Sequence, residues 1–209
     1  MSRRLSPLAA LVLAVALAAP SHAQAPTPRP GADAQPAPKA QPRPHGTRLA
    51  VDPAKVRVDD GDTVVIEWGK GDSEIVRILG IDTPETRHVE HNLPYPQDFG
   101  PEARGFALGA FGAATSVEIL RAATLDPYGR TLGYLFVNGR NYSVLVVAAR
   151  LAAETVGHYG DNGLPKEAAD VLAAAKAAGP VPFEPPYQFR ARMRDVSAFL
   201  QQQGASPEK

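Results

Sequence analysis

The chain contains no cysteine. That excludes disulfide staples, thiol nucleophiles and thiolate metal ligands, so an exported form must rely on its core alone. It also lacks a charge excess, with 22 basic residues against 22 acidic ones and a formal net charge of zero. The global basicity of a high-affinity nucleic-acid binder is therefore excluded. If phosphate is bound, a few local arginines and a metal must hold it. Finally, the longest apolar run near the start, Leu8 to Ala19, is short of the roughly 20 residues a membrane span requires.

What surrounds that run gives it another meaning. Arg3 and Arg4 precede it, and Pro20-Ser21-His22-Ala23 follow it. Basic start, apolar middle and small-residue end make residues 1–23 a secretory signal, with cleavage expected after Ala23. Losing Arg3 and Arg4 would leave 20 basic against 22 acidic residues. The expected destination is the periplasm or the exterior, with no membrane attachment once the signal is gone. Residues 24–50 are rich in Pro and Ala and read as a disordered tether. Residues 51–180 carry the periodic segments and form the expected domain. Residues 181–209 are a connector and a C-terminal helical extension. Hydrophobic residues make up 44% of the chain, enough for one ordinary core.

Within the domain, strands are expected over Lys55 to Asp59, Thr63 to Trp68, Ser73 to Leu79, Ser116 to Arg121 and Thr131 to Val137. The first three form a meander with tight turns at Asp60-Gly61 and Gly69 to Gly71, where Gly61 is expected to supply positive φ. Asn138-Gly139 is the best hairpin-type turn of the chain. Thr83-Pro84-Glu85 reads as a helix entry with Thr83 as N-cap. Helices are expected from Pro101, over Tyr142 to Ala153, over Pro165 to Ala178 and over Tyr187 to Gln203. Five short strands with a helix after the third suggest an α+β protein built on a five-stranded OB-type Greek-key barrel. About three helices would surround it, with an extra one at the C-terminus.

The chemistry concentrates in Val56 to Glu85. Asp60 and Asp62 flank a turn, and a later strand brings Arg77, Asp82 and Glu85. Asp62 and Asp82 offer hard oxygens that suit Ca²⁺ or Mg²⁺. Glu85 stands three residues beyond Asp82, close by yet free to take a proton. Arg77 and Arg130 present planar forks matched to phosphate oxygens. A cation, a base for water and donors for charge developing on phosphorus are the components of phosphodiester hydrolysis.

At these residues the sequence resembles the staphylococcal nuclease family. The resemblance is carried by Asp60-Gly61-Asp62-Thr63-Val64, the run Arg77 to Thr86, Gly100-Pro101-Glu102-Ala103 and Tyr128-Gly129-Arg130-Thr131-Leu132-Gly133-Tyr134. It implies the OB barrel and one bound Ca²⁺, held by Asp62, Asp82 and the backbone carbonyl of Thr83. Asp60 matches an acid standing behind those ligands. Glu85 matches the presumed general base, and Arg77 and Arg130 match the arginines that hold the phosphate. Tyr128 matches a tyrosine on the nucleotide's terminal phosphate. DNA and RNA are the implied substrates, cut to 3′-phosphate ends. Nothing in the sequence itself demands more than a monomer.

The chain departs from that pattern in places. Pro127 stands where the family has a lysine, and the loop from Thr86 to Phe99 is about three residues longer than the resemblance suggests. His158 and Tyr159 stand near the family's base-stacking tyrosine pair and are taken as substrate contacts. His88, Glu90 and His91 offer imidazole and carboxylate ligands, although adjacent loop histidines are more often solvated. Arg190, Arg192 and Arg194 on the last helix offer backbone contacts to nucleic acid or ordinary surface salt bridges. The expected function is an exported, calcium-dependent nuclease of low sequence specificity. The main alternative is a catalytically silent OB module that binds nucleic acid or a protein; a second is another metal-dependent phosphoesterase.

Overall fold

The computed structural model describes residues 38–204. The expected signal, and the first part of the expected tether, lie outside them. The chain enters through strand β1 (Arg48–Val51), followed by the meander β2 (Val56–Asp60), β3 (Thr63–Gly69) and β4 (Asp72–Ile78). A two-residue strand β5 (Ile81–Asp82) leads into the long loop and then helix α1 (Gly100–Gly112). Next come β6 (Val117–Leu125), β7 (Thr131–Val137), the short β8 (Arg140–Asn141) and helix α2 (Tyr142–Ala148). Strand β9 (Ala153–Glu154), the single-turn α3 (Val156–Tyr159), α4 (Pro165–Ala178) and α5 (Pro186–Gln202) complete it.

The main sheet runs β1-β6-β7-β4-β3-β2, with β8 paired to β7. Two antiparallel units, β2-β3-β4 and β6-β7, are joined by one parallel pairing, in which Val76, Arg77 and Ile78 lie opposite Thr131, Leu132 and Gly133. This is the α+β, OB-like arrangement expected from strand order. β3 forms because Thr63-Val64-Val65-Ile66 is a β-branched run suited to a pleated surface. Val64 and Ile66 are fully buried, as are Val76, Ile119 and Leu135. Each such side chain contributes about 1.5–3 kcal/mol by leaving water. Phe111 of α1, Val146 of α2 and Val171 of α4 close the same core.

β4 also turns a charge inward. Its alternation buries Glu74, Val76 and Ile78 and exposes Ile75. Glu74 accepts from Arg121 Nε and Nη2, both at 2.7 Å, from Trp68 Nε1 at 2.7 Å and from Thr131 Oγ1 at 2.6 Å. Burial alone would push this carboxyl up; those donors, led by Arg121, outweigh it and hold it below its ordinary value. The network locks β4 to β6 through Arg121 and to β7 through Thr131, the residue after Arg130.

Several expectations need correction. The tether does not run to residue 50. Ala40 bridges Thr124, Gln41 is buried with its amide donating to Thr131 Oγ1 at 3.1 Å, and β1 pairs with β6. This segment covers what would otherwise be an open sheet edge. Thr83 does not cap a helix, because residues 83–87 are non-helical and the Thr83 amide donates to Asp62 Oδ2 at 2.9 Å. Gly61 is not in the positive-φ region. A Cβ there would lie 2.8 Å from Thr83 Oγ1, so glycine is required by the close approach of the two segments. Helix α2 ends at Ala148, short of the expected Ala153: Ala149 caps it, Arg150 takes a left-handed backbone, and Ala153 joins β9 against β5.

Candidate functional site

The fold gathers the expected residues at one end of the sheet. The β2–β3 turn delivers Asp60 and Asp62, β4 delivers Arg77, and β5 with the segment after it delivers Asp82, Thr83 and Glu85. Thr63 lies opposite Arg77 in the β3–β4 ladder, which brings Asp62 beside the guanidinium. Arg77 Nη1 is ion-paired with Asp62 Oδ1, and Arg77 Nη2 donates to Asp82 Oδ1 at 2.7 Å. One guanidinium therefore bridges the two expected cation ligands. Both carboxylates are buried, at 6% and 7% exposure.

Glu85 is fixed by its backbone. Gln97 Oε1 accepts from the Glu85 amide at 3.3 Å, and the Gln97 amide donates to the Glu85 carbonyl at 2.9 Å. Gly100 packs so closely that a Cβ would fall 2.1 Å from that carbonyl oxygen. Burial raises the Glu85 carboxyl above its ordinary 4.5, against the pull of Arg190, and the charges of Asp60 and Asp82 raise it further. Burial likewise raises Asp60, whose Oδ1 accepts from the Gly61 amide at 2.8 Å and whose charge His88 partly offsets. Burial also lowers Arg77; Asp82 opposes this, while Arg130 and Arg190 lower it further. The charge of Arg130 is thus felt at Arg77.

Arg130 is held by Asp126. Asp126 Oδ2 accepts from Arg130 Nε at 2.7 Å, while its Oδ1 accepts the amides of Tyr128 and Arg130 at 2.9 and 2.8 Å. The turn and the direction of the guanidinium are set by the same carboxylate. Tyr128 is 86% exposed, 5.5 Å from its ring centroid to the Arg130 guanidinium carbon. His158 and Tyr159 pack edge to face with ring centroids 4.5 Å apart. They follow β9, which pairs with Asp82, so the fold carries α3 to the rim of the cluster. Among the described residues, no hydrogen bond or ion pair joins Tyr128, His158 or Tyr159 to Asp60, Asp62, Asp82 or Glu85.

The donor set suits a hard divalent cation. Asp62, Asp82 and Glu85 are countered directly by Arg77 and Arg190, and Asp60 stands beside them. At Glu85 the negative charge of Asp60 and Asp82 adds to burial in raising the carboxyl, whereas Asp60 is raised by burial alone, against its hydrogen bonds and His88. Among the described residues, no three His, Cys, Asp or Glu side chains group so as to hold a metal by themselves. The expected site falls below that count, because it uses two carboxylates and the Thr83 carbonyl. His88 contacts Thr86 Oγ1 at 2.8 Å, stacks on His91 at 5.6 Å and approaches Asp60 Oδ2 at 3.8 Å, as a loop-ordering residue does.

Two participants were not legible beforehand. Gln97 carries no motif, and its contact with Glu85 depends on the loop's fold. Arg190 was visible only as one of three arginines on the last helix. In the structure, Arg190 Nη1 and Nη2 reach Asp82 Oδ1 and Oδ2, both at 3.1 Å, and Nη1 also pairs with Glu85 Oε1. Arg192 instead pairs with Glu184 on the surface, where Nη1 donates to Oε2 at 2.7 Å.

One guanidinium bridging Asp62 of the β2–β3 turn to Asp82 of β5, beside a clamped Glu85 and an Asp126-held Arg130, stands at one end of an OB-like sheet. The family model described as Staphylococcal nuclease homologue matches residues 75–179. That is half the chain, and the protein belongs to this family. A thermonuclease of Staphylococcus intermedius is 37% identical over 97 residues, covering 46% of this chain and 55% of that protein. A thermonuclease of Staphylococcus hyicus is 32% identical over the same length and shares. The SPbeta prophage-derived endonuclease YokF of Bacillus subtilis is 30% identical over 103 residues, 49% of this chain and 33% of that one. The chain spans about half the length, or less, of these relatives. Asp60, Asp62 and all of α5 lie outside the family match.

Proposed function

We propose that this protein is a calcium-dependent nuclease that hydrolyses phosphodiester bonds of DNA and RNA with little sequence specificity, leaving 3′-phosphate ends. The observation that carries this reading is the convergence of Asp62, Asp82, Arg77 and Glu85 within one hydrogen-bonded cluster, with Arg130 close enough for its charge to act on Arg77. The family membership and the names of the relatives support it.

Asp62, Asp82 and the Thr83 carbonyl would hold the cation, which when bound supplies Lewis-acid polarisation and neutralises charge on the phosphate. Glu85 takes the proton of the attacking water; its raised carboxyl makes it a better acceptor than an ordinary glutamate. Arg77 and Arg130 donate to phosphate oxygens and stabilise the charge that develops there. The P–O5′ bond breaks opposite the entering water. Phosphate contacts carry little base information, so cleavage ignores sequence. Tyr128, His158 and Tyr159 would flank the nucleotide. Export through a signal cleaved after Ala23 belongs to the same reading. Among the described residues, no helix is long and apolar enough to cross a membrane.

The test is digestion of single-stranded DNA and of RNA by purified protein, with Ca²⁺ and then with a chelator, and with product ends mapped. Calcium-dependent cleavage to 3′-phosphate ends is expected. Binding without cleavage of either polymer would favour the silent OB module instead.

A further inference from the structure

Helix α5 is an addition to the matched fold, and its docking is narrow. Phe189 and Met193 bury against Leu93 of the long loop, with Val196 beside them, in a cluster separate from the main core. Ser197 Oγ donates to Asn92 Oδ1 at 3.3 Å, and Gln97 Nε2 donates to the Glu184 carbonyl at 2.8 Å. The lengthened loop from Thr86 to Phe99 is thus the platform for α5, and Gln97 ties its connector to the backbone of Glu85.

From this platform Arg190 enters the cluster, its side chain 31% exposed. Its fork lies across both oxygens of Asp82 and reaches Glu85 as well. A bidentate guanidinium engages the same in-plane lone pairs that a hard cation needs. Asp82 Oδ1 already accepts from Arg77. A guanidinium on Glu85 also stabilises its charged form and opposes proton uptake. Arg190 is therefore poorly suited to help the base, since its Nη donors are spent on the groups the chemistry requires.

We propose that α5 is an autoinhibitory cap, in which Arg190 stands in for the divalent cation at Asp82 and Glu85 and is displaced when the cation binds. This rests on the cation reading of Asp62 and Asp82 given above. Linkage makes the effect reciprocal: whatever undocks α5 tightens cation binding, and the cation loosens α5. The small satellite cluster makes undocking a local opening that leaves the main core intact.

The test uses the full chain. Calcium affinity is measured by calorimetry for the native protein, for Arg190→Gln and for the double variant Phe189→Ala/Met193→Ala, which loosens the cap without touching a charge. Hydrogen exchange of the α5 amides is followed with and without Ca²⁺. Both variants should bind Ca²⁺ at least about tenfold more tightly, as expected for removing a charge-assisted competitor. Ca²⁺ should speed exchange in α5 of the native chain. Equal or weaker binding by the variants, or α5 exchange that is unchanged or slowed by Ca²⁺, overturns the cap and leaves the cation site standing. No Ca²⁺ uptake by any form overturns the cation site and the cap together.

Discussion

Replacing Asp126 with asparagine should release Arg130 while keeping its turn closed. The asparagine would retain one oxygen to accept the amides of Tyr128 and Arg130, as Asp126 Oδ1 does now at 2.9 and 2.8 Å. The other oxygen, which accepts Arg130 Nε at 2.7 Å, becomes an NH₂ group facing another donor. A charge-assisted bond contributes about 1.5–3 kcal/mol. Arg130 is 32% exposed, so solvent screening places the loss near the lower end. At about 1.4 kcal/mol per factor of ten, turnover should fall roughly tenfold. That is less than the 10²–10³ or so typical of deleting a charge-stabilising donor. The assay is kcat on single-stranded DNA with Ca²⁺, alongside a thermal melt. The substitution should also have no further effect in an Arg130→Ala background, because both act through one guanidinium. Turnover within about twofold of the native protein at unchanged Tm, or effects that multiply with Arg130→Ala, would refute this account of Asp126.

Three further outcomes are expected. Arg121→Met strands the buried Glu74 charge, which costs about 3–5 kcal/mol and lowers Tm by roughly 6–20 °C; adding Glu74→Met should recover much of that in the same melt. Glu85→Gln should raise stability at neutral pH without Ca²⁺. A raised folded-state carboxyl gives stability that is full below its unfolded value near 4.5 and is lost as pH rises through the folded value. Urea melts should therefore show the gain at neutral pH and lose it below about pH 4; a variant less stable at neutral pH contradicts the sign. Gly100→Ala forces the Glu85 carbonyl to move, so both Tm and cleavage should fall, with about 1–3 kcal/mol lost from overpacking.

The sheet was readable where strands are defined by their own residues. Thr63 to Ile66, Val76 to Ile78 and Thr131 to Val137 alternate or cluster β-branched and aromatic side chains, and the structure makes each a strand. β1 was missed because an edge strand takes its structure from its partner, here β6, more than from its own four residues. Asp60, Asp62, Arg77, Asp82 and Glu85 converge because they lie in one meander and the segment following it, where sequence distance and spatial distance agree. Arg190 pairs with Asp82 across 108 residues, and nothing local to either residue signals the contact. Gly61 was singled out for the wrong reason: its need is contact with Thr83, which only the tertiary structure displays. Glu74 carries no motif, and its buried partnership with Arg121 depends on which strands the parallel β4–β7 pairing brings together.

The central claim is that this cluster breaks phosphodiester bonds with Glu85 as base and Arg130 as a charge-stabilising donor. The most direct measurement compares single-stranded DNA cleavage by the native protein, Glu85→Gln and Arg130→Ala under saturating Ca²⁺, each shown to be folded by its melt. The account predicts that either substitution lowers turnover by about 10²-fold or more. Near-native turnover in a folded Glu85→Gln or Arg130→Ala variant would contradict it.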